Sequence, residues 1–240
     1  MKLAIVGYGA MGKEIENIAI EKNIVISNIF DIDRPIKENE EYDFDVAIEF
    51  SSPNVVLDNI KLLAQKKKNI VIGTTGWLDK ISIVKKYAIE NDIGIVWSSN
   101  FSIGMQIFFK IVNEASKLIN KFEQYDSFIS EKHHRNKIDS PSGTAISLAN
   151  IMLSNLQSKD KILTENINRK INSNELQITS IRGGNIFGEH SIYFDSEVDT
   201  IELKHNAKTR KGFANGAILG ANFIYNKKGV YNFEDILFDG

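Results

Sequence analysis

The stretch that decides the fold is Lys2–Gly12, which reads KLAIVGYGAMG. The apolar run Lys2–Val6 predicts a short buried strand, and the glycines after it predict a tight turn. Apolar side chains then recur at helical spacing from Gly12 to Asn23. A strand, a G-x-G-x-x-G turn and a helix in this order form the context that a dinucleotide-binding loop requires. The predicted loop consists of Gly7, Tyr8, Gly9, Ala10, Met11 and Gly12.

An acidic residue lies where a dinucleotide-binding fold needs one. Val25–Phe30 predicts the second strand, and Asp31 follows it, about twenty residues after the loop. Its carboxylate would accept hydrogen bonds from the adenosine ribose, and Asp33 is the alternative for this role. A carboxylate here repels a 2′-phosphate and favours NADH, whereas Arg34 and Lys37 could offset that repulsion. The residues leave NADH and NADPH both open.

Strands and helices continue to alternate up to about residue 100. Apolar patterns predict three more strands and two helices: Val46–Phe50, Asn69–Ile72 and Gly94–Trp97, with helices over 54–68 and 78–91. The polar segment Asp31–Asp45 contains Pro35 and is predicted to be a loop rather than a helix. This rhythm predicts an α/β fold, a Rossmann-type parallel sheet with crossover helices.

The pattern changes after Asn100. A long amphipathic helix is predicted over 103–122, followed by strands with irregular connections. The remaining predicted elements are strands over 125–131, 177–182, 191–194 and 200–205, helices over 144–156, 213–225 and 233–237, and a loop over 159–174. These elements predict a second, α+β domain with a mixed or antiparallel open sheet.

Composition excludes several classes of function. The 240 residues include 42% apolar and 25% charged residues, as in an ordinary globular protein. The net charge of −2 argues against a nucleic-acid partner. The absence of cysteine excludes disulfides, thiolate zinc sites, iron–sulfur clusters and a cysteine nucleophile. No apolar run is long enough for a membrane span, and the first one ends at Gly7, so we expect a cytoplasmic protein without a membrane partner.

Polar chemistry is concentrated in Glu131–Thr144, which reads EKHHRNKIDSPSGT. Two of the four histidines of the chain, His133 and His134, are adjacent here, and Lys137 follows them. Cations gathered in one loop of a chain with balanced charge suit an anionic substrate. A metal site is not predicted, because adjacent histidines on an extended segment point to opposite faces and the sequence offers no evident cysteine or carboxylate partner.

The end of this segment resembles the start of a helix. Ser142, Gly143 and Thr144 precede an apolar-periodic stretch, so free backbone amides and hydroxyl groups would lie together there. Such a helix N-terminus can bind a carboxylate or a phosphate, and Lys137 would help it to hold a small dianion. The alternative is that Ser140 or Ser142 serves only as the helix cap.

These motifs together resemble the 4-hydroxy-tetrahydrodipicolinate reductase (dihydrodipicolinate reductase) family. The family pattern E-x-H-H-x-x-K-x-D-A-P-S-G-T-A matches Glu131–Ala145, with Ser140 in the place of the usual alanine. Other segments match in order: Gly73–Gly76, Asn100–Gly104, Gly188–His190 and Arg210–Ala217. The resemblance extends over nearly the whole chain.

The resemblance implies roles for individual residues. His133 is expected to be the catalytic acid–base group and Lys137 the proton donor, and either could deliver the proton that follows hydride transfer. The expected site for the substrate carboxylates consists of His134, Ser142, Gly143 and Thr144. The expected cofactor, NADH or NADPH, would contact the glycine loop and a further set: Asp31, Gly73, Thr74, Thr75, Ser98, Ser99, Asn100 and Phe101. Ile32 stands where some members carry an arginine that could meet a 2′-phosphate, which weakens the case for NADPH.

The resemblance also implies a reaction and an organisation. The reaction is NAD(P)H-dependent reduction of a small cyclic dicarboxylate, 4-hydroxy-tetrahydrodipicolinate, to tetrahydrodipicolinate in lysine and diaminopimelate biosynthesis. Residues 1–100 and 212–240 would form the dinucleotide-binding domain, and residues 101–211 the substrate-binding and oligomerisation domain of a homotetramer. Two alternatives are another Rossmann-fold dehydrogenase with a small anionic substrate and a non-catalytic nucleotide-sensing module. Neither class has a reason to carry the block from His133 to Thr144.

Overall fold

The computed structural model describes residues 1–165 and 167–238. The chain forms two compact units, Met1–Ile103 together with Arg210–Gly240, and Gly104–Thr209. The predicted domain boundaries lie a few residues away, and the roles predicted for the two parts stay predictions. Within the described ranges, no helix combines the length and the apolar composition needed to cross a bilayer.

The first unit is built on one parallel sheet. Its strands are β1 (Lys2–Val6), β2 (Val25–Phe30), β3 (Val46–Glu49), β4 (Asn69–Ile72), β5 (Gly94–Trp97) and β11 (Gly229–Asn232). They lie in the order β11-β5-β4-β3-β1-β2, and every pair is parallel. Strands β3 and β4 are buried along their whole length, which explains why they are continuous apolar runs. The predicted Rossmann-type sheet is confirmed.

Helices cover both faces of this sheet. The helices of the unit are α1 (Ala10–Glu21), α2 (Val56–Gln65), α3 (Ile81–Asn91), α6 (Lys211–Ile224) and α7 (Phe233–Phe238). On one face α1 and α6 pack against β1 through Ile18, Ala217 and Ile5. On the other face α2 and α3 pack through Ile60 and Val84. Because alternate residues of each strand face opposite sides, one sheet supports two separate clusters.

Some predicted bounds of the first unit were wrong. The helix predicted over 78–91 begins as a 3₁₀ turn at Leu78–Lys80, and the one predicted over 54–68 is shorter at both ends. Strand β11 was not predicted, because it is a half-exposed edge strand with the sequence GVYN and no long apolar run. The connection over 31–45 contains no helix, as predicted.

The second unit carries a five-stranded sheet. Its elements are α4 (Ile103–Ile119), β6 (Asp126–His133), α5 (Gly143–Leu153), β7 (Lys161–Leu163), β8 (Glu175–Arg182), β9 (Gly188–Asp195) and β10 (Thr200–Ala207). The order is β10-β9-β6-β8-β7, with β6 parallel to β8 and antiparallel to β9. The prediction of a mixed sheet is therefore confirmed. The prediction of a loop over 159–174 was wrong at β7, which has three residues and is too short to show a period.

The two faces of this sheet differ. Helices α4 and α5 cover one face, where Ile129 and Ile192 pack against Phe109 and Leu148. On the other face Phe128 and Tyr193 stack with their ring centroids 4.7 Å apart, and Phe128 remains 38% exposed. A side chain on β6 therefore meets α5 or lies on the open face according to its place in the two-residue alternation.

Candidate active site and cofactor loop

The glycine loop has the geometry of a phosphate-binding turn. Gly7 has a φ of +90°, and a Cβ atom on it would lie 2.4 Å from the Phe50 carbonyl oxygen. A Cβ atom on Gly12 would lie 2.3 Å from the Gly7 carbonyl oxygen, so neither position accepts a side chain. A Cβ atom on Gly9, the N-cap of α1, would meet nothing within 4 Å. The first turn of α1 therefore offers open backbone amides, which fit the pyrophosphate of a dinucleotide.

A cavity of about 470 Å³ lies beside the loop in the first unit. Gly7, Gly9 and Asp31 contribute to its wall, with apolar surface from Ile32 and Pro35. Asp31 is held in a turn by reciprocal backbone hydrogen bonds with Arg34, of 3.1 and 3.0 Å. A carboxylate at the rim of a partly apolar cavity fits an adenosine group, with the base against the apolar wall and the ribose at the acid.

The other predicted cofactor residues follow β4 and β5. A Cβ atom on Gly73 would lie 2.1 Å from the Phe50 ring, which explains the glycine. Thr74 is buried and its carbonyl accepts a 2.7 Å hydrogen bond from the Trp77 indole. The Ser98 hydroxyl donates to the Asn100 carbonyl and accepts from the Asn100 amide, which makes a compact turn. Phe101 is a core residue against Phe233, so only its main chain is available to line a site.

The sheet register brings the chemically active residues of the second unit together. Glu131 and His133 are two residues apart on β6 and share the face that α5 covers. Across β9, His190 lies directly opposite Glu131. Across β8, Arg182 lies directly opposite His133. Four ionisable side chains therefore lie side by side on one face, and all but Arg182 are buried.

Glu131 is the centre of this group and is fully buried. Its Oε2 bonds to His133 Nδ1, and Arg182 makes a forked pair of hydrogen bonds of 2.7 and 3.0 Å to its two oxygens. The Ser142 amide donates a further bond of 3.2 Å to Oε1. Burial alone would raise the pKa of Glu131, but the bonds from His133 and Arg182 outweigh it and lower the pKa to about 2.

His190 extends the group towards α5. Its Nε2 lies 3.1 Å from Ser142 Oγ, and its ring lies edge-on to His133 with centroids 5.2 Å apart. Burial lowers the pKa of His190 to about 3, and the nearby charges of His133 and Lys137 act in the same direction. Within the described part of the chain, its Nδ1 has no hydrogen-bond partner. His190 is therefore a neutral imidazole at physiological pH.

Ser142 is the N-cap of α5. Its Oγ accepts a 3.2 Å hydrogen bond from the Ala145 amide, and the residue is 2% exposed. The capping role considered for Ser142 is thus present, together with its bond to His190. A Cβ atom on Gly143 would meet nothing within 4 Å, and no acidic side chain lies in the first turn of α5. The start of α5 attracts anions, and one carboxylate, that of Asp139, already accepts a hydrogen bond from the Gly143 amide.

Lys137 and His134 lie on the segment between β6 and α5. The Lys137 ammonium donates a 2.8 Å hydrogen bond to Asp139, and its side chain is 23% exposed. Burial opposes the ionisation of Asp139, but this bond and the Gly143 amide lower its pKa. The His134 amide donates a 2.7 Å bond to the Ile186 carbonyl, which fixes the chain just after β6.

Sequence reasoning missed the partners of His133. It found no carboxylate near the histidine pair, but Glu131 bonds His133 directly and His190 lies opposite Glu131. Donor atoms of Glu131, His133 and His190 lie within 4.8 Å of one another, as in a metal site. Arg182 already occupies both carboxylate oxygens, so the donor set is poorly suited to a cation. The family resemblance at Gly188–His190 marks His190 without placing it at the site. The place of Arg182 and of His190 follows from the strand register, which the sequence does not show.

Comparisons with known proteins agree with this geometry. The model for the dihydrodipicolinate reductase N-terminus matches residues 1–101, and the model for its C-terminus matches residues 104–237. A 4-hydroxy-tetrahydrodipicolinate reductase of Christiangramia forsetii is 36% identical over 100% of this chain and 98% of its own length. The chain belongs to the dihydrodipicolinate reductase family. A reductase of the same name from Methanocaldococcus jannaschii is 36% identical over 92% of this chain and 81% of its own.

A solved dihydrodipicolinate reductase supports the fold. The dipicolinate-bound enzyme of Paenisporosarcina sp. TG-14 superposes with a TM-score of 0.75 at 24% identity, over 98% of this chain and 99% of that one. As a dihydrodipicolinate reductase, the chain is an NAD(P)H-dependent oxidoreductase of lysine and diaminopimelate biosynthesis, as the motifs implied. Neither alternative, another dehydrogenase or a nucleotide-sensing module, is favoured by these findings.

Proposed function

We propose that His133 and Lys137 carry out the proton transfer in the reduction of 4-hydroxy-tetrahydrodipicolinate, with His133 as the acid–base group and Lys137 as the proton donor. Loss of the 4-hydroxyl group of the substrate as water leaves a conjugated imine ring, and NAD(P)H, when bound, would supply a hydride to that ring from the nicotinamide C4. The electron pair displaced within the ring must then take up a proton. His133 and Lys137 both lie in the segment that matches the family motif, and both are residue types that donate protons in enzymes.

The orientation of His133 supports this role most directly. Its Nδ1 is engaged by Glu131, so Nε2 is the nitrogen left to exchange a proton. A Cβ atom at the neighbouring Gly188 would lie only 3.0 Å from Nε2, so a glycine is needed there to leave room at that nitrogen. An imidazole with one nitrogen fixed by a carboxylate keeps the other for proton exchange and is suited to acid–base catalysis.

The substrate's carboxylates are proposed to bind at the start of α5. Gly143 and Thr144 would offer backbone amides of the first turn, and His134 and Lys137 would offer polar side chains close in sequence to it. The Paenisporosarcina enzyme was solved with dipicolinate, a planar cyclic dicarboxylate. Asp139 now bonds both Lys137 and the Gly143 amide, so a bound carboxylate would compete with Asp139 for the ammonium and for that amide.

We further propose that NADH is the preferred cofactor. A 2′-phosphate on the adenosine would meet the carboxylate of Asp31, and Ile32, 98% exposed, offers no positive charge. The two cations that could offset this repulsion are paired elsewhere, Arg34 with Asp33 at 3.9 Å and Lys37 with Glu40 at 2.5 Å. Assays of the unmodified enzyme with NADH and NADPH side by side test this, and a lower KM for NADPH would contradict it.

The proposed assembly is a homotetramer in the cytoplasm. The open face of the second sheet supports association, since Phe128 and Ile181 are each at least 38% exposed there. The biosynthetic role of the family supports the location. Light scattering of the purified protein measures the number of subunits, and a monomer would contradict the assembly.

Substitution of Lys137 tests the catalytic assignment. We expect Lys137→Ala to lower kcat by about 10²–10⁴-fold and to leave the Kd for NADH within about twofold, because the ammonium acts on the substrate. Lys132→Ala is the matched control, since Lys132 lies near the end of β6, shortly before Lys137 in the sequence, and bonds Glu189, which Lys204 also holds. Steady-state NADH oxidation and NADH titration measure both quantities.

Two results would contradict this assignment. If Lys137→Ala keeps the wild-type kcat, Lys137 is not the proton donor. If kcat and NADH binding are lost together, the role of Lys137 is structural. His133→Asn, assayed in the same way, distinguishes the two proton sources, because the residue that delivers the proton causes the larger fall in kcat.

A further inference from the structure

One carboxylate at the centre of the cluster has no place in the proposed reaction. Glu131 accepts four hydrogen bonds from three elements: His133 on its own strand, Arg182 on β8 and the Ser142 amide before α5. An ionised carboxylate has about four acceptor positions. Every position of Glu131 is therefore used inside the protein, and none is left for the substrate or a metal ion.

We propose that Glu131 is a positioning residue, which sets the tautomer of His133 and ties it to the first turn of α5. This proposal rests on the proposed function, because it takes His133 as the acid–base group and the start of α5 as the carboxylate site. Glu131 acts through these two groups and not on the substrate itself.

The tautomer follows from charge. Arg182 keeps Glu131 ionised in spite of its burial, and an ionised carboxylate can only accept hydrogen bonds. His133 Nδ1 must therefore carry the proton, and Nε2 faces away from Glu131. A neutral amide at position 131 could bond either tautomer, because it has one donor end and one acceptor end. The negative charge, and not only the shape of the side chain, is what selects Nδ1–H.

The tie to α5 runs through Ser142. Its main chain donates to Glu131, while its hydroxyl accepts the Ala145 amide and bonds His190. A shift in the first turn of α5 would break bonds to both β6 and β9. The separation between His133 and the helix start is thus fixed before any substrate arrives. Such preorganisation lowers the cost of reaching the transition state.

A second glutamate in the same unit provides a matched control. Glu175 is also buried, accepts a forked pair of 2.7 Å bonds from Arg169 and takes a 3.0 Å bond from the Asn172 amide. Its pKa is also lowered to about 2, first by the bond from Arg169. Within the described ranges the bonding partners of its carboxylate are a lysine, an arginine and a main-chain amide, and none is a histidine. Glu175→Gln therefore removes the same charge without touching His133.

The first measurement compares the two glutamine variants. We expect Glu131→Gln to lower kcat by about 10–100-fold and to raise the KM for the substrate. The reason is that His133 and the Ser142 amide before α5 both lose the carboxylate that they bond. The Kd for NADH is expected to stay within about twofold. Glu175→Gln is expected to retain wild-type kcat and KM. Equal kinetics for wild type and Glu131→Gln would overturn the proposal, as would an equal loss in both variants.

The second measurement needs no variant of Glu131 and holds even if that variant does not fold. Nitrogen-15 spectra of the imidazoles in the unmodified enzyme report which ring nitrogen carries the proton, and the chain has only four histidines to assign. We expect His133 to be a single Nδ1–H tautomer when neutral. An Nε2–H tautomer, or a mixture of the two, would overturn the proposal. In Glu131→Gln the same signals are expected to show the mixture.

His133→Asn separates this proposal from the function on which it rests. If that variant turns over normally, His133 is not the acid–base group and the proposed function fails. If it is inactive while Glu131→Gln is normal, the function stands and the positioning role fails. If both lose kcat and Glu175→Gln does not, both proposals are supported.

Discussion

Two regions of the second unit use the same arrangement of charges for different ends. Around Glu131 and around Glu175, a buried carboxylate takes a forked arginine and a backbone amide, and each has a pKa of about 2. The third partner differs. Glu131 holds His133 beneath α5, whereas Glu175 meets Lys161, whose side chain is 62% exposed. A buried ion pair alone therefore does not indicate a functional site, and the group that completes it decides the role.

A third buried glutamate shows what the arginine contributes. Glu49, at the end of β3, is fully buried and bonds the Ser51 hydroxyl and the Asn59 amide, which are neutral. Burial raises the pKa of Glu49, in contrast to the lowered pKa of Glu131. Carboxylates of similar burial thus have pKa values shifted in opposite directions, and the guanidinium is the main difference between their surroundings.

The largest effect in this comparison is expected from removal of the arginines. Arg182→Met would leave Glu131 buried without its cation, and we expect the free energy of unfolding to fall by about 3–5 kcal/mol. Arg169→Met should lower the free energy of unfolding by clearly less, because Arg169 is 44% exposed and water can hydrate Glu175 in its place. Urea unfolding followed by circular dichroism measures both. A larger loss in Arg169→Met would show that the two regions have been ranked in the wrong order.

The second expected effect is that His190, beside Glu131, and Glu175 contribute to stability over different ranges of pH. Because His190 is neutral when folded and takes up a proton when unfolded, stability should fall as the pH drops from about 6.5 towards 3. Glu175, whose pKa falls from 4.5 to about 2, contributes stability that is lost only below about pH 4.5. The charges that act on His190 come from Glu131, His133, Lys137 and His205.

Urea midpoints at about pH 7, 5.5 and 4 test this separation. His190→Asn is expected to reduce the slope between pH 7 and 5.5, though not to abolish it, since burial also lowers the pKa of His205. Glu175→Gln should keep that slope and flatten the dependence near pH 4. If the urea midpoint of His190→Asn changes between pH 7 and 5.5 as much as that of the wild type, protonation of His190 does not affect stability in this range.

The smallest expected effect concerns Ser142, which connects Glu131 to the start of α5. Ser142→Ala removes the hydroxyl cap and the bond to His190 but keeps the main-chain bond to Glu131. We expect a loss of about 1 kcal/mol in unfolding free energy and a higher KM with little change in kcat. Ser154→Ala, at the other end of α5, is the control for the hydroxyl, and its KM should be unchanged. A kcat that falls as far as in Glu131→Gln would show that the hydroxyl also holds His133.

Sequence patterns predicted the first unit well, because its strands are continuous apolar runs that need no partner to be recognised. Its glycine loop was predicted for a physical reason, and Gly7 and Gly12 prove to have no room for a side chain. The patterns failed at β7 and β11, where three or four half-exposed residues at a sheet edge carry no period.

The site was predicted only as far as it is continuous in sequence. The segment from His133 to Thr144 was found because its residues are neighbours along the chain. Arg182 and His190 are 49 to 57 residues away from His133 and meet it through the pairing of β6 with β8 and β9. Register is a property of the whole sheet, so no local pattern could have placed them.

The division of the first unit along the chain has a consequence for its synthesis. Helix α6 covers Leu3, Ile5 and Val71 in one apolar cluster, yet it is more than a hundred residues downstream of them. The second unit, Gly104–Thr209, is continuous and emerges from the ribosome before α6 does. Until α6 has been synthesised, the apolar residues that it covers on this face of the sheet stay exposed to solvent. The unit that the ribosome begins first is therefore the one whose core is completed last.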